Sequence, residues 1–501
     1  MRAVAALLLL ATAGTPAGPP EVTVAQGRLA GTLDGGVAAF KGIPYAAPPV
    51  GALRWRAPQA APGWDGVRDA SAFGPVCPQH ATTGLAARTP LPQSEDCLTL
   101  NVWSPDLHPA RPQAVMVWIH GGGLAQGGSA LPFYDGAALA RRGVVVVSFN
   151  YRLGRLGFFA LPALEAEHPG EPSGNYGLLD QIAALRWVRD NIAAFGGDSA
   201  DVTVFGESAG GVSVDALMTS PLARGLFERA ISESGPALFG TVTLADAEAA
   251  SLAFAARLGA SGPGALAALR AARPESILAD GADILEPIVD GRVLTEDVAS
   301  AFARGDIAPV PYLTGTNSDE GSLLRGAAPA WLTARLGTAL DSVRALYDRA
   351  GTLDDAAFAR ALFNDQYFAA TSALLALGVT RAGPGAWVYR FRFLPAILRA
   401  RRAPGVPHGG EIPFVFGFGA LTAYAPARDL AVKDMVQAYW TNFAKTGDPN
   451  GAGLPAWPRY DGAAPPTLVI DDTTAAVPDF RKAETDVALR LWSRRAGLPV
   501  P

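Results

Sequence analysis

The sequence predicts an α/β protein built on one large, mostly parallel sheet flanked by helices, and three observations carry that expectation. Short apolar, β-branched runs alternate along the chain with stretches of helical periodicity. Two of those runs, at 114–119 and 144–149, read as buried strands. A third, at 202–205, leads straight into Gly206-Glu207-Ser208-Ala209-Gly210, a strand-to-helix turn. The chain has 501 residues, and neither a tandem repeat nor a long linker divides it. One large domain over residues 18–501 is the economical organisation.

The elements follow in order. Residues 21–46 read as short strands with glycine turns, one of them at Asp34-Gly35-Gly36, and 98–103 reads as the next strand. After the runs at 114–119 and 144–149, residues 177–195 place Leu178, Ile182, Leu185 and Ile192 at helical spacing. The strand at 202–205 is followed by a short helix over 212–218 and another strand at 230–232. Residues 245–278 are Ala-rich and read as helical. Runs at 311–315, 386–393 and 467–470 supply the remaining core strands.

Hydrophobic residues make up 49% of the chain and charged ones 17%, a globular composition. The net charge of -5, with no basic run, argues against a nucleic-acid partner. Arg2 precedes an apolar run over 3–11 and then small residues, the pattern of a secretory signal over residues 1–17. That run is too short to span a membrane, and no cysteine stands near it to carry a lipid. The expectation is a secreted or periplasmic protein with no stable membrane anchor. Export in turn favours a disulfide between the two cysteines, Cys77 and Cys97, closing a loop of about 20 residues.

The pentapeptide around Ser208 has a steric logic. A serine whose hydroxyl projects from the end of a strand sits on a sharp, strained turn, and Gly206 and Gly210 let strand and helix approach around it. An ordinary Gly/Ser turn has the same composition; the strand before and the helix after favour the nucleophile elbow. A serine nucleophile needs a base and a third group to orient that base, in the chain order Ser, acid, His on such a fold. Of five histidines, only His408 lies after Ser208. For the acid, Asp319 and Glu320 stand out in the polar loop after the run at 311–315, and position alone leaves both open. His120-Gly121-Gly122-Gly123 follows a buried strand and offers side-chain-free N–H groups to an oxyanion, with the N–H of Ala209 as a further donor.

Several motifs together resemble the type-B carboxylesterases, the carboxylesterase/cholinesterase branch of the α/β-hydrolases, in a secreted bacterial form. They include Phe40-Lys41-Gly42-Ile43-Pro44-Tyr45-Ala46, Ser94-Glu95-Asp96-Cys97-Leu98, Trp118-Ile119-His120-Gly121-Gly122-Gly123, Asn150-Tyr151-Arg152-Leu153-Gly154, Gly174-Asn175-Tyr176-Gly177 and Phe195-Gly196-Gly197-Asp198, with Trp440-Thr441-Asn442-Phe443 late in the chain. The resemblance implies a Ser208–His408–Glu320 triad, with Glu320 and not Asp319 as the acid. It puts the oxyanion donors on Gly122, Gly123 and Ala209, and the family's first disulfide on Cys77 and Cys97. It also implies structural ion pairs Arg54 with Glu95 and Arg152 with Asp180, a tuning position beside the nucleophile at Glu207, and a supporting position behind the triad at Ser234. Thr99 departs from the family's common tyrosine.

The implied activity is hydrolysis of a small-molecule carboxylic ester without metal or organic cofactor. A second reading, a catalytically inactive recognition protein of neuroligin type, would lack a triad member, and here all three are present. A specialised ester hydrolase or a transacylase would share the triad. Residues 78–96 contain no Trp, Tyr or Phe, so the tryptophan that this loop gives to the choline cage of cholinesterases is missing, and a general carboxylesterase, not a cholinesterase, is expected.

Overall fold

The computed structural model describes residues 18–80, 89–279, 286–324, 330–334, 336–461 and 464–498. The leader expected over 1–17 lies outside the described residues. An eleven-stranded sheet organises the chain: β1 (Thr32–Asp34), β2 (Val37–Pro44), β3 (Thr99–Ser104), β4 (Gln113–Ile119), β5 (Val145–Phe149), β6 (Gly197–Glu207), β7 (Arg229–Glu233), β8 (Tyr312–Asn317), β9 (Ala386–Phe391), β10 (Pro466–Ile470) and β11 (Ala475–Pro478). Across the sheet the order is β11-β10-β9-β8-β7-β6-β4-β5-β3-β2-β1. The strands from β10 to β5 run parallel, whereas β11 at one edge and β3, β2 and β1 at the other pair antiparallel. The sheet is mostly parallel, as expected: parallel through its buried middle and antiparallel at both edges, with hairpins joining β1 to β2 and β10 to β11.

Strand β4 explains why the middle reads as unbroken hydrophobic sequence. Successive side chains point to opposite faces. Val115, Val117 and Ile119 enter one core and Met116 and Trp118 the other. Helices α1 (Tyr176–Asn191) and α2 (Ala209–Thr219) cover the first face through Leu178, Ile182, Leu185, Val214 and Leu217. Helix α3 (Ala427–Thr446) covers the second through Val436, Tyr439, Trp440 and Phe443. Both faces exclude water, so β4 keeps no polar side from Ala114 to Ile119.

The Ala-rich stretch at 245–278 is not one helix. It divides into Leu244–Arg257, Ala265–Ala271 and Pro274–Ile277. Gly259 turns left-handed at φ 73°, and Pro274 opens a new first turn where its missing N–H costs nothing.

The parallel middle brings the functional loops to one edge. Gly121 to Gly123 follow β4, Ser208 follows β6, Glu320 follows β8 and His408 lies in the loop after β9. All four leave the carboxyl ends of neighbouring strands, where open α/β sheets bind ligands.

Candidate active site

The turn after β6 is forced open by close backbone approach. A Cβ on Gly206 would lie 2.6 Å from Gly210 O, and one on Gly210 would lie 2.0 Å from Ile119 O. Between them Ser208 adopts φ 58°, ψ -122°, a region nearly closed to residues with a Cβ and costing about 1–3 kcal/mol. Its backbone N–H donates to Glu233 O at 2.8 Å, and its carbonyl accepts from Val212 N in the first turn of α2. Strand and helix thus share the strain and hold the half-buried serine at the sheet edge.

Glu320 is fully buried and every contact orients it. Its Oε1 accepts from Ser234 Oγ at 2.6 Å and from Asn317 N at 2.6 Å. Its Oε2 lies 2.5 Å from His408 Nδ1. Asp319 turns away: it pairs with Arg360, and its N–H donates to Val406 O at 2.8 Å. His408 is fixed further by its backbone N–H, which donates to Ser322 Oγ at 3.0 Å, and by the edge of the Phe368 ring at 5.4 Å. The other ring nitrogen, Nε2, is buried without a hydrogen-bond partner and lies 3.2 Å from Glu207 Oε1. No hydrogen bond joins it to Ser208 in this resting geometry; such bonds often tighten only with substrate.

The glycine loop after β4 runs beside the serine. A Cβ on Gly121 would approach Ser208 Cβ to 3.0 Å. Gly122 and Gly123 take φ 112° and 66°, conformations that favour glycine, and both are partly exposed. None of the N–H groups of Gly122, Gly123 and Ala209 donates to another backbone group among the described residues. His120 anchors the loop from below. Its ring stacks on Tyr151 at 4.4 Å, and Tyr151 Oη donates to His120 O at 2.7 Å. Burial lowers the His120 pKa to about 4, so its ring is neutral.

A nest of buried carboxylates surrounds the imidazole. Glu207 and Glu233 are paired residues on β6 and β7, and Glu411 follows His408 by three residues. Trp440 Nε1 donates to Glu233 Oε1 at 2.9 Å, and Asn317 Nδ2 donates to Glu411 Oε2. Burial pushes Glu207 up to about 7, with His408 opposing and Glu320 adding to the rise. Burial raises Glu233 to about 8, against the Trp440 bond and with Glu207 reinforcing. For His408 burial lowers the pKa, but Glu207, Glu320 and Glu411 together outweigh it and lift the imidazole to about 9.

The other residues named from sequence take structural places. Arg54 grips Glu95 with two bonds, at 2.8 and 2.6 Å, and its Nη1 donates to Leu269 O and Ala272 O. Arg152 grips Asp180 at 2.8 and 2.7 Å. A disulfide joins Cys77 and Cys97. Besides Glu233, two more contributors escaped the sequence reading. Asn364 opens a π-helical segment, Asn364–Ala369, and its Oδ1 accepts from Glu320 N at 3.0 Å. Gln79, in the disulfide loop, clamps Gly127 with both amide atoms, donating to Gly127 O at 2.6 Å and accepting from Gly127 N at 2.7 Å. Glu411 had a visible signal in His408-Gly409-Gly410-Glu411; Asn364 and Gln79 had none.

Sheet order, helix layers and strained serine turn define an α/β-hydrolase. A solved PNB esterase superposes with a TM-score of 0.81 at 36% identity, covering 93% of this chain and 98% of its own. The sequence profile of the Carboxylesterase family matches residues 18–332 and 340–488. The para-nitrobenzyl esterase of Bacillus subtilis (strain 168) is 40% identical, with 90% of this chain and 94% of its own covered. The fumonisin B1 esterase of Sphingopyxis macrogoltabida is 40% identical over 86% of this chain and 82% of its own length. A liver carboxylesterase of Sus scrofa is 38% identical, with 90% and 89% covered. The chain belongs to the carboxylesterase family and is an ester hydrolase.

Proposed function

We propose that the protein cleaves small-molecule carboxylic esters with a Ser208–His408–Glu320 triad and an acyl-enzyme intermediate. The observation that carries this is the bond between His408 Nδ1 and Glu320 Oε2, which leaves Nε2 free to take a proton at the edge where Ser208 projects. Ser208 Oγ attacks the ester carbonyl as its proton passes to His408 Nε2. Glu320 holds the ring in the tautomer with the Nδ1 proton and stabilises the imidazolium that forms. The N–H groups of Gly122, Gly123 and Ala209 receive the oxyanion. The C–O bond to the alcohol breaks as His408 returns the proton to the leaving oxygen. A water, deprotonated by the same nitrogen, then attacks the acyl-enzyme and frees acid and serine.

The carboxylate nest has two opposed effects. It stabilises imidazolium in the transition state, which favours turnover, and it stabilises imidazolium in the resting enzyme, which protonates the base. Activity therefore rises with pH as His408 loses its proton. Two large apolar side chains are open to solvent: Leu323, three residues after Glu320, is 43% exposed, and Phe239, which stacks on Tyr367 at 4.3 Å, is 38% exposed. These surfaces suit an uncharged, apolar ester group. Among the described residues no single helix is long and apolar enough to cross a membrane. Export through the leader, to the periplasm or beyond, is part of the proposal.

The test is Ser208→Ala measured on a panel of esters that vary acyl and alcohol size, including a para-nitrobenzyl ester and a choline ester with its tert-butyl isostere. A fall in kcat/KM of at least about 10³-fold, with an unchanged circular-dichroism spectrum, is the expected result. Near-normal turnover by the folded variant would refute the triad.

A further inference from the structure

A second cleft opens outside the carboxyl ends of β8, β9 and β10, with a volume of about 410 Å³. Ser318, Arg390, Arg392, Arg399, Asp471 and Arg481 line it. It is separated from Ser208 by two loops tied edge to edge, with Val406 N donating to Ser318 Oγ and Asp319 N donating to Val406 O, both at 2.8 Å. None of its arginines has a part in ester cleavage.

The acidic groups of the cleft are already engaged. Arg399 Nη2 holds Asp472 at 2.8 and 2.9 Å, and Arg428 reaches the same carboxylate. Arg392 Nε stands 3.5 Å from Asp471. Two guanidinium groups remain short of partners. Arg390 is only 7% exposed and has no carboxylate at ion-pair distance among the described residues. Its bonds are one to Thr316 Oγ1 at 2.6 Å and a long one to Ser318 O at 3.4 Å, out of five donors. Arg481 pairs with Asp365 at 2.6 Å and lies 3.7 Å from Glu484, but its Nε is buried with no hydrogen-bond partner. Burial is the largest influence on Arg390 and lowers its pKa, as expected of a buried cation without enough anionic compensation.

A buried charge is costly unless paired, and the planar fork of arginine matches the spacing of two oxygens on a phosphate or carboxylate. We propose that this cleft binds a small multivalent oxyanion, of phosphate or polycarboxylate chemistry, held by Arg390 and Arg481 with Arg392 at its rim. Such a ligand supplies the missing acceptors without displacing an existing ion pair.

Calorimetric titration of the full chain tests this, with inorganic phosphate in one arm and citrate in the other, at neutral pH and ionic strength fixed with chloride. The expected result is saturable one-to-one binding in at least one arm with a Kd of about 1 mM or tighter. Binding of phosphate alone identifies a tetrahedral anion, and binding of citrate alone a polycarboxylate. Arg390→Gln, which can still donate to Thr316, should weaken it at least about tenfold. Arg392→Gln should weaken it severalfold and leaves the buried part of the cleft untouched; it decides the matter alone if the first variant does not fold. Absence of saturable binding below about 10 mM in both arms, or equal affinity in wild type and the folded variants, would overturn the proposal.

Discussion

Glu207 places Oε1 3.2 Å from Nε2 of His408, the nitrogen that accepts the serine proton in the proposed mechanism. Its negative charge favours the protonated imidazole, so the carboxylate beside the nucleophile sets the pH at which the base becomes available. Replacing it with a neutral amide removes that bias. In Glu207→Gln the acid limb of the kcat/KM profile should move down by about one pH unit. The plateau should also fall, by roughly tenfold, because the transition-state imidazolium loses the same support. A pH–rate series on both proteins measures the two effects together; an unmoved limb would mean that Glu207 does not act on His408.

The adjacent carboxylates Asp319 and Glu320 separate cleanly in the structure, one on Arg360 and one on His408. Glu320→Gln should reduce kcat by about 10³–10⁴-fold, since the amide cannot hold the imidazole in the required state. Asp319→Asn should keep kcat within about threefold and lower stability by at most about 1 kcal/mol, as its ion pair with Arg360 is partly exposed. Steady-state kinetics on the pair checks the assignment, and the reverse order of losses would move the acid to Asp319.

The parts of this molecule that were legible in sequence are those written locally. Strand β4 is legible because burial on both faces leaves it no polar position from Ala114 to Ile119. The glycines around Ser208 are legible because a Cβ at Gly206 or Gly210 would collide with backbone, and only one residue type relieves that. The breaks within 245–278 were hidden by alanine, which supports helix equally on either side of Gly259 and Pro274. Glu233, Asn364 and Gln79 were illegible for a different reason. Strand register brings Glu233 beside Glu207, a π-helical turn brings Asn364 to Glu320, and the segment just after Cys77 brings Gln79 to Gly127. Each depends on contacts distant along the chain or on a backbone irregularity without a composition of its own.

The disulfide closes a loop of 20 residues and carries Gln79, which grips the glycine loop through Gly127. On the chain-entropy account, losing the cross-link should cost about 3 kcal/mol. A Cys77→Ala/Cys97→Ala double variant should therefore unfold at lower denaturant, and its kcat should fall because the Gly122 and Gly123 N–H groups are held less firmly. Denaturation curves with parallel kinetics check both. Unchanged stability would remove the structural role assigned to the bridge.

Asp215 is buried under the sheet, accepting from Tyr312 Oη at 2.7 Å and Ser232 Oγ at 3.1 Å. Burial raises its pKa from 3.8 to about 7, against the opposing pull of those two bonds. The folded state therefore holds a proton that the unfolded chain releases. The associated stability is complete below pH 3.8 and is lost as pH rises through about 7. Asp215→Asn keeps an acceptor for Tyr312 and gains a donor for Ser232. It should be the more stable protein above neutral pH, by up to about 4 kcal/mol, with a flatter dependence over that interval. Unfolding free energies from pH 4 to 9 test this; parallel curves would show that Asp215 does not titrate there.

The central claim is that Ser208 carries the acyl group, and intact-mass spectrometry of rapidly quenched enzyme tests it most directly. Mixed with a slowly deacylating activated ester, the wild-type protein should gain one acyl mass in proportion to the burst of released alcohol. Peptide mapping should place that mass on Ser208. Ser208→Ala should gain none, and His408→Ala should acylate at least about 10³-fold more slowly. An acyl mass on any other residue, or full turnover with no covalent species on Ser208, would contradict the mechanism.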